Sequence, residues 1–487
     1  MRLHPAPSRR ARPPFAAPLW SLCAALTLSA CSMAPHYERP APPVPTSWPV
    51  GDAYLVQSEA AIPIVSYRDI FRDPRLQSLV EQALVNNRDL RVAAANIVAA
   101  RAQVRVTRAA QFPEIGVSAT GSRSEGGTGT NQATGVTSRT VSRSSFALSG
   151  GVSAFEIDLF GRLASATAAE RQRALSTEAA ARTVRLGLVA DIADAWANHA
   201  ADAELLRIAR DTAASARRSV ELTGARLRGG VAPRTDLRQA EGVLATAEAD
   251  VAAQTTALAQ DVNLLQLLVG APVDAALLPM GLDEVARSVE ALPPGISSEV
   301  LLRRPDVLEA EYSLRAANAQ IGVARAELFP RITLTGLFGF ASNALRTLFA
   351  DGSFTKSASG DASGAIFSAG GVRAGVIISK AQRDAALATY EKAIQTAFRE
   401  VADALARQGT ISEELRASTV RVTAAADTAK LTEARYRGGV DSYLTNLDAQ
   451  RSLYSAQQQL VATRLTMVGN RVTLYRVLGG DQGSGVE

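Results

Sequence analysis

The chain carries one supersecondary unit twice, and this duplication constrains its fold more than any other feature. Ala225 to Leu237 reads Ala-Arg-Leu-Arg-Gly-Gly-Val-Ala-Pro-Arg-Thr-Asp-Leu, and Ala434 to Asp448 reads Ala-Arg-Tyr-Arg-Gly-Gly-Val-Asp-Ser-Tyr-Leu-Thr-Asn-Leu-Asp. Each stretch is the end of a helix, a sharp turn at Gly229-Gly230 or Gly438-Gly439, and the start of another helix. A second anchor lies upstream, where Phe112-Pro113 and Phe329-Pro330 both stop a helical pattern. Behind these stops, Arg88-Asp89-Leu90 aligns with Pro305-Asp306-Val307 and Ala102-Gln103-Val104 with Ala319-Gln320-Ile321. Two copies can build one structure together, so the 487 residues are read as one duplicated domain rather than the roughly three suggested by length.

Inside each copy the hydrophobic period changes. Leu76, Leu79, Val80, Ala83 and Leu84 share one helical face, which predicts a helix from about Arg75 to Gln111. After Phe112-Pro113 the period becomes two: Ile115, Val117 and Ala119 alternate with Gly116, Ser118 and Thr120, and further on Phe146, Leu148 and Val152 alternate with small polar residues. This predicts a hairpin around the Gly/Ser/Thr-rich loop Gly126 to Thr140, which no Gly-Lys-Ser/Thr follows and which is therefore no phosphate cradle. In the second copy Ile332, Leu334, Phe338 and Phe340 mark the first strand, and the return strand is expected within residues 357–376. The proline-free stretch Gly161 to Arg228 predicts a helix of roughly 100 Å. Its partner is expected to start near Thr235 or Asp236, either of which could cap it, and to return to Val269. The second copy repeats this pair over about 379–437 and 441–478.

The expected fold is mainly α, with duplicated long antiparallel helices and a pair of β-hairpins. Aromatic residues are only 5% of the chain, which suits long Ala-rich helices packed side by side in an elongated fold. Four strands cannot close a barrel, and an open edge is not tolerated in lipid, so several chains must share one.

The net charge of +5 owes four units to Arg2, Arg9, Arg10 and Arg12, leaving the rest near neutral and giving no case for nucleic acid. Residues 1–30 combine this basic start with the short apolar run Phe15 to Ala30, the pattern of a secretory signal peptide. The run ends Leu28-Ser29-Ala30-Cys31, which resembles the bacterial lipobox, so Cys31 is the expected lipidation site; Ser32 after it points to the outer membrane. Both cysteines, Cys23 and Cys31, lie here, and the body of the chain has no thiol for disulfides or metal. The expected layout is therefore a signal peptide over 1–30, a lipidated Pro-rich leash over 31–66, a first repeat over 67–280, a linker over 281–296, a second repeat over 297–480 and a tail over 481–487.

Several motifs, in order, carry a resemblance: the lipobox, the paired Arg-x-Arg-Gly-Gly-Val turns, Arg304-Pro305-Asp306-Val307, Glu327-Leu328-Phe329-Pro330, Ala397 to Leu405, and Tyr443-Leu444-Thr445-Asn446-Leu447-Asp448-Ala449-Gln450. The chain resembles the TolC-like outer-membrane efflux proteins, in the NodT-type lipoprotein branch that serves resistance-nodulation-division pumps. The resemblance implies a homotrimer whose twelve strands form one outer-membrane β-barrel and whose helices form a periplasmic α-barrel. It implies a lipid-anchored channel passing drugs or other small toxic compounds outward from an inner-membrane pump, with a periplasmic adaptor meeting the Gly-Gly tips. Where relatives show Phe-Asp-Gly-Gly-Arg after the last strand, this chain has Phe367-Ser368-Ala369-Gly370-Gly371-Val372-Arg373.

Two site expectations follow from the resemblance. Asp236 and Tyr436 are expected to latch the closed tip, with Arg451 nearby; the plainer alternatives are a helix cap and an interfacial aromatic. Leu444 and Asp448, four apart on one helix face, are expected to form the pore gate, an apolar plug with a ring of carboxylates. His4, His36 and His199 are scattered and no catalytic set or cofactor motif can be assembled, so no enzyme and no cofactor are expected. Two competing readings are a coiled-coil spacer lipoprotein, opposed by the hairpins, and a channel for type I protein secretion, opposed by the lipobox.

Overall fold

The computed structural model describes residues 32–54, 66–125, 142–290 and 298–480. Cys31 and the Gly126 to Thr140 loop lie outside the described residues. The chain divides into two compact units.

The first unit, whose described residues are 32–39, 100–125, 142–174 and 313–386, contains a four-stranded antiparallel sheet in sequence order. Its strands are β1 (Ile115–Glu125), β2 (Ser142–Ile157), β3 (Arg331–Ser342) and β4 (Phe354–Ser363). Each copy contributes one hairpin, and β2 pairs with β3 to join them. Only the outer edges of β1 and β4 remain unpaired within the sheet. One cross-strand row runs Ala119, Leu148, Phe340, Phe354, which places the apolar positions of the period-two pattern on a common face. A bulge between Val152 and Phe155 breaks the β2–β3 register. There Ala154 takes φ 53° and its N–H donates to Thr335 Oγ1 at 3.1 Å, so the kink is held by a side chain of the partner strand.

The return strand of the second copy begins at Phe354 and ends at Ser363, earlier than the 357–376 expected. Its residues are mostly small and polar; the strand is defined by pairing with β3 over ten positions and not by its own pattern. Ala369 (φ 48°) and Gly370 (φ 87°) then turn the chain, and the following helix starts at Gly371, ahead of the expected 379.

The second unit, whose described residues are 40–54, 66–99, 175–290, 298–312 and 387–480, holds the two Gly-Gly turns. The helices in chain order are α1 (Tyr67–Ile70), α2 (Pro74–Asn86), α3 (Arg88–Ala109), α4 (Arg162–Arg228), α5 (Arg234–Val269), α6 (Leu282–Ser288), α7 (Pro305–Ala326), α8 (Gly371–Arg437) and α9 (Tyr443–Val477). The duplication is kept to the residue in the longest pair, since α4 and α8 are each 67 residues.

The single helix expected over 75–111 is broken at Asn87, whose ψ of 139° ends α2. The amide side chain makes the break stable: Oδ1 accepts from Leu90 N at 3.0 Å and Nδ2 donates to the Leu268 carbonyl at 2.8 Å. It thus caps α3 while satisfying a free carbonyl at the end of α5. The second copy does the same work with Arg304. Its Nη1 donates to the Val477 carbonyl at the end of α9 at 3.0 Å, while Asp306 (2.8 Å) and Glu400 (2.8 Å) neutralise the buried guanidinium. A cation at a helix C-terminus meets the negative end of the dipole.

The stretch 281–296, expected as a plain linker, contains α6. Leu282 and Val285 are fully buried, Val289 bridges Phe71, and Arg471 donates to the Ala286 (2.8 Å) and Val289 (2.6 Å) carbonyls. Neither Thr235 nor Asp236 is the cap residue of α5. Pro233 occupies that position without a side-chain bond, because its fixed φ suits entry to a helix.

The described part of the Pro-rich N-terminal segment, residues 32–54, is helix-free as expected, and it is docked on the body of the chain. In the first unit Asn318 donates to the Pro35 carbonyl at 2.7 Å and Arg325 to the Met33 carbonyl at 3.1 Å. A Cβ at Gly322 would lie 2.8 Å from Ala34 N, so only glycine admits the strap there. In the second unit Trp48 is buried and stacks on Phe398 at 4.9 Å.

Candidate functional site

The two Gly-Gly turns share one backbone design. In the first, Val231 N donates to Arg226 O (3.0 Å) and Gly230 N to Leu227 O (3.0 Å); in the second, Val440 N donates to Arg435 O (2.9 Å) and Gly439 N to Tyr436 O (3.0 Å). This crossed pair satisfies the carbonyls left over at a helix end, and it requires a left-handed residue. Gly230 (φ 72°) and Gly439 (φ 75°) supply it at no steric cost. The repeated sequence is therefore a repeated helix stop. Gly229 and Gly438 close the preceding helical turn by donating to Ala225 O and Ala434 O.

The side chains around the turns are wired differently. Arg226 and Arg435 occupy matching positions. Arg435 stays in its own turn, binding Asp441 through two guanidinium nitrogens (2.6 and 2.9 Å), and this contact holds the Asp441 carboxyl below its usual range. The residue matching Asp441 in the first turn is Ala232, so Arg226 has no local acid. It reaches across 210 residues of sequence to donate to the Tyr436 carbonyl at 2.8 Å and lies 4.8 Å above the Tyr436 ring. The first copy thus grips the C-terminal end of α8, where a cation meets both the helix dipole and an aromatic face.

Tyr436 and Tyr443, on either side of the second turn, pack edge to face at 5.4 Å. With Ala240 of α5 and Leu447 they form a small core, flanked by Val220, Leu222 and Val243. The expected Asp236–Tyr436 link is not a hydrogen bond here: the Tyr436 hydroxyl has no partner, and at the turns it is Arg226 that reaches the second copy, through the Tyr436 carbonyl. Asp236 is close enough to act electrostatically. Burial first, and Asp236 among the neighbours after it, raises the pKa of Tyr436; burial followed by Tyr436 pushes Tyr443 up to about 12.

The start of α9 is two-faced. Tyr443, Asn446 and Leu447 are almost fully buried, whereas Leu444 is 52% exposed and Asp448 and Arg451 are exposed too. The four-residue spacing of Leu444 and Asp448 places them together on the face turned away from α5. Arg451 also lines a cavity of about 240 Å³ between α4, α5 and α9, beside the Tyr454 hydroxyl that donates to Asp250 at 2.8 Å. Sequence reasoning missed Arg226, whose partner is a distant backbone carbonyl, and Tyr443, which reads as an ordinary first helical residue. The signal available for Arg226 was the missing acid at Ala232.

Among the described residues no cluster of three His, Cys, Asp or Glu side chains is placed to hold a metal, and no helix is long and apolar enough to cross a membrane. A duplicated helical hairpin body with an open-edged sheet defines a channel subunit of the outer-membrane efflux class. Residues 79–271 and 296–480 match the family described as outer membrane efflux protein, and the chain belongs to that family. It is 42% identical over 461 residues to the toluene efflux pump outer membrane protein TtgC of Pseudomonas putida, across 94% of each chain. It is 39% identical to the outer membrane protein OprJ of Pseudomonas aeruginosa, across 94% of this chain and 95% of that one. Among solved structures, the open state of the Neisseria gonorrhoeae MtrE outer membrane channel superposes with TM-score 0.80 at 33% identity, covering 93% of this chain and 98% of that one. The protein is a TolC-like efflux channel of the outer membrane and not an enzyme.

Proposed function

We propose that three copies of the chain form the exit duct of a tripartite efflux system, fed by a resistance-nodulation-division pump through a periplasmic adaptor, and that Leu444 and Asp448 gate it. The trimer is supported by the sheet: its two outer edges are free, and a four-stranded sheet spans lipid only when neighbours close it. Relatives named for toluene and solvent efflux favour small apolar or otherwise toxic compounds as cargo. Cys31 carries the lipid, which adds about 0.8 kcal/mol of membrane retention per buried CH₂. Cys31→Ala abolishes palmitate labelling; fully labelled variant protein contradicts the assignment.

The observation that carries the gate is the two-faced start of α9. It buries Tyr443 and Leu447 against α5 and leaves Leu444 and Asp448 bare beside the turn. Threefold symmetry makes one bare carboxylate into a ring of three. Carboxylates several ångströms apart repel by a few kcal/mol at an effective dielectric of about 20, so the ring attracts cations, resists anions, and is eased by a bound cation or by Arg451. Leu444 supplies the apolar plug, and the adaptor opens both by spreading the helices at the Gly-Gly tips. In planar bilayers Asp448→Ala lowers cation selectivity and relieves block by divalent cations, and Leu444→Ala raises conductance. Parental conductance and selectivity in both variants places the constriction elsewhere.

A further inference from the structure

Three buried polar atoms beside the second turn have no hydrogen-bond partner: the hydroxyls of Tyr436 and Tyr443 and Oδ1 of Asn446. Tyr436 is 4% exposed, and Tyr443 and Asn446 are 1% exposed each. A buried donor without an acceptor is an unfavourable arrangement that proteins rarely keep without a use for it. Both rings belong to the buried cluster that also contains Ala240 of α5. Asp236 lies one helical turn before Ala240, hence on the same face. Its carboxylate is half-buried, stands in the first turn of α5, and acts electrostatically on both rings.

We propose that Tyr443 is a second latch residue, and that in the shut tip the Asp236 carboxylate accepts hydrogen bonds from the hydroxyls of both Tyr436 and Tyr443. The proposal rests on the reading of this end of the chain as a gated tip. One ionised carboxylate has enough acceptor positions for two phenols, and the two bonds are charge-assisted. Tyr436 is near the end of α8 and Tyr443 opens α9. A single acceptor on α5 therefore ties the first copy to both sides of the second turn, and spreading the helices has to break both bonds together. Arg226, bound to the Tyr436 carbonyl, keeps the rings in place while the hydroxyls engage or release. In the structure neither hydroxyl has a hydrogen-bond partner, while the guanidinium contact is present.

Tyr443→Phe preserves the ring packing and removes only the hydroxyl. In planar bilayers it is expected to raise the open fraction about tenfold, the size of one hydrogen bond to a charged group, with an unchanged thermal unfolding midpoint. In an Asp236→Ala background the same substitution is expected to add nothing, which a purely structural role for Tyr443 does not predict. The pair Tyr436→Phe and Tyr443→Phe together should match Asp236→Ala alone. Normal gating of Tyr443→Phe alongside altered gating of Tyr436→Phe overturns the proposal while leaving a one-tyrosine latch. An effect of Tyr443→Phe that persists in Asp236→Ala overturns it in favour of Asn446 as the acceptor. If no latch substitution changes gating while Leu444→Ala still does, the latch fails and the gate reading stands.

Discussion

The two Gly-Gly turns have the same backbone and opposite habits. Each stops a 67-residue helix with the same crossed hydrogen bonds and one left-handed glycine. Yet Arg435 is held at home by Asp441 while Arg226, facing Ala232, crosses to the other copy. Duplication supplied two equal stops, and a single acid at one of two matching positions decides which arginine becomes the bond between them. The junctions at the far ends of the hairpins differ in the same manner: Asn87 satisfies the end of α5 with a neutral amide, whereas Arg304 satisfies the end of α9 with a buried charge that needs two carboxylates.

The largest expected effect separates those junctions. Arg304→Met leaves Asp306 and Glu400 facing each other without a cation and should cost about 3 kcal/mol, against about 1 kcal/mol for Asn87→Ala, which loses one cap and one hydrogen bond. Thermal unfolding in detergent, followed by circular dichroism, compares them; equal losses would remove the distinction between charge and amide.

Next come the matching aspartates Asp194 and Asp403. Asp403 is exposed, but burial pushes the Asp194 carboxyl up to about 6. A folded-state pKa raised from 3.8 means that the native state holds the proton more tightly. Stability from this site is full below about pH 4 and lost as pH rises toward 6. Asp194→Asn should therefore gain about 2 kcal/mol at pH 7.5 relative to the parent and flatten the profile between pH 4 and 6. Asp403→Asn should change stability by less than about 0.5 kcal/mol; urea unfolding at pH 4 and 7.5 decides between them.

Gly230→Ala and Gly439→Ala should each cost about 1 kcal/mol, the strain of a left-handed alanine, and by the same amount in both turns. Unequal losses would show that the backbones are less alike than their hydrogen bonds. The smallest stability effect belongs to Ala232→Asp, within about 0.5 kcal/mol for an exposed pair. It should draw Arg226 into its own turn as Asp441 draws Arg435, and cells carrying it should take up large antibiotics more readily. Unchanged uptake at normal protein levels would mean that the Arg226 bridge does not hold the tip.

What was legible in the sequence was whatever a local pattern controls. The glycine turns, the two long proline-free helices and the period-two strands β1, β2 and β3 each follow from residues a few positions apart. Strand β4 was misplaced because Thr355 to Ser359 include no large apolar residue, and the strand exists through its pairing with β3. The break at Asn87 was hidden because both flanking segments keep a helical pattern, and the partner that stabilises the break, the Leu268 carbonyl, lies 181 residues away. The docking of the N-terminal strap depends on notches at Gly322 and Gly409, which look like ordinary helical glycines. Beside the second turn, Leu444 and Asp448, proposed as the gate, were named from spacing and resemblance, whereas Arg226 and Tyr443 were not. Their roles depend on a backbone carbonyl and on a buried hydroxyl, neither of which a sequence displays.

The central claim is that three copies bring Asp448 together into a ring beside the second turn. The most direct test is the single-channel conductance of Asp448→Cys in planar bilayers before and after mild oxidation, in a chain whose native cysteines, Cys23 and Cys31, both precede the channel body. The expected result is a fall in conductance on oxidation, a dimer-sized band on denaturing gels, and recovery of both with dithiothreitol, with Gln239→Cys at the matching position of the first copy as the comparison. Conductance and gel mobility that ignore oxidation in a folded, conducting Asp448→Cys channel would contradict the ring.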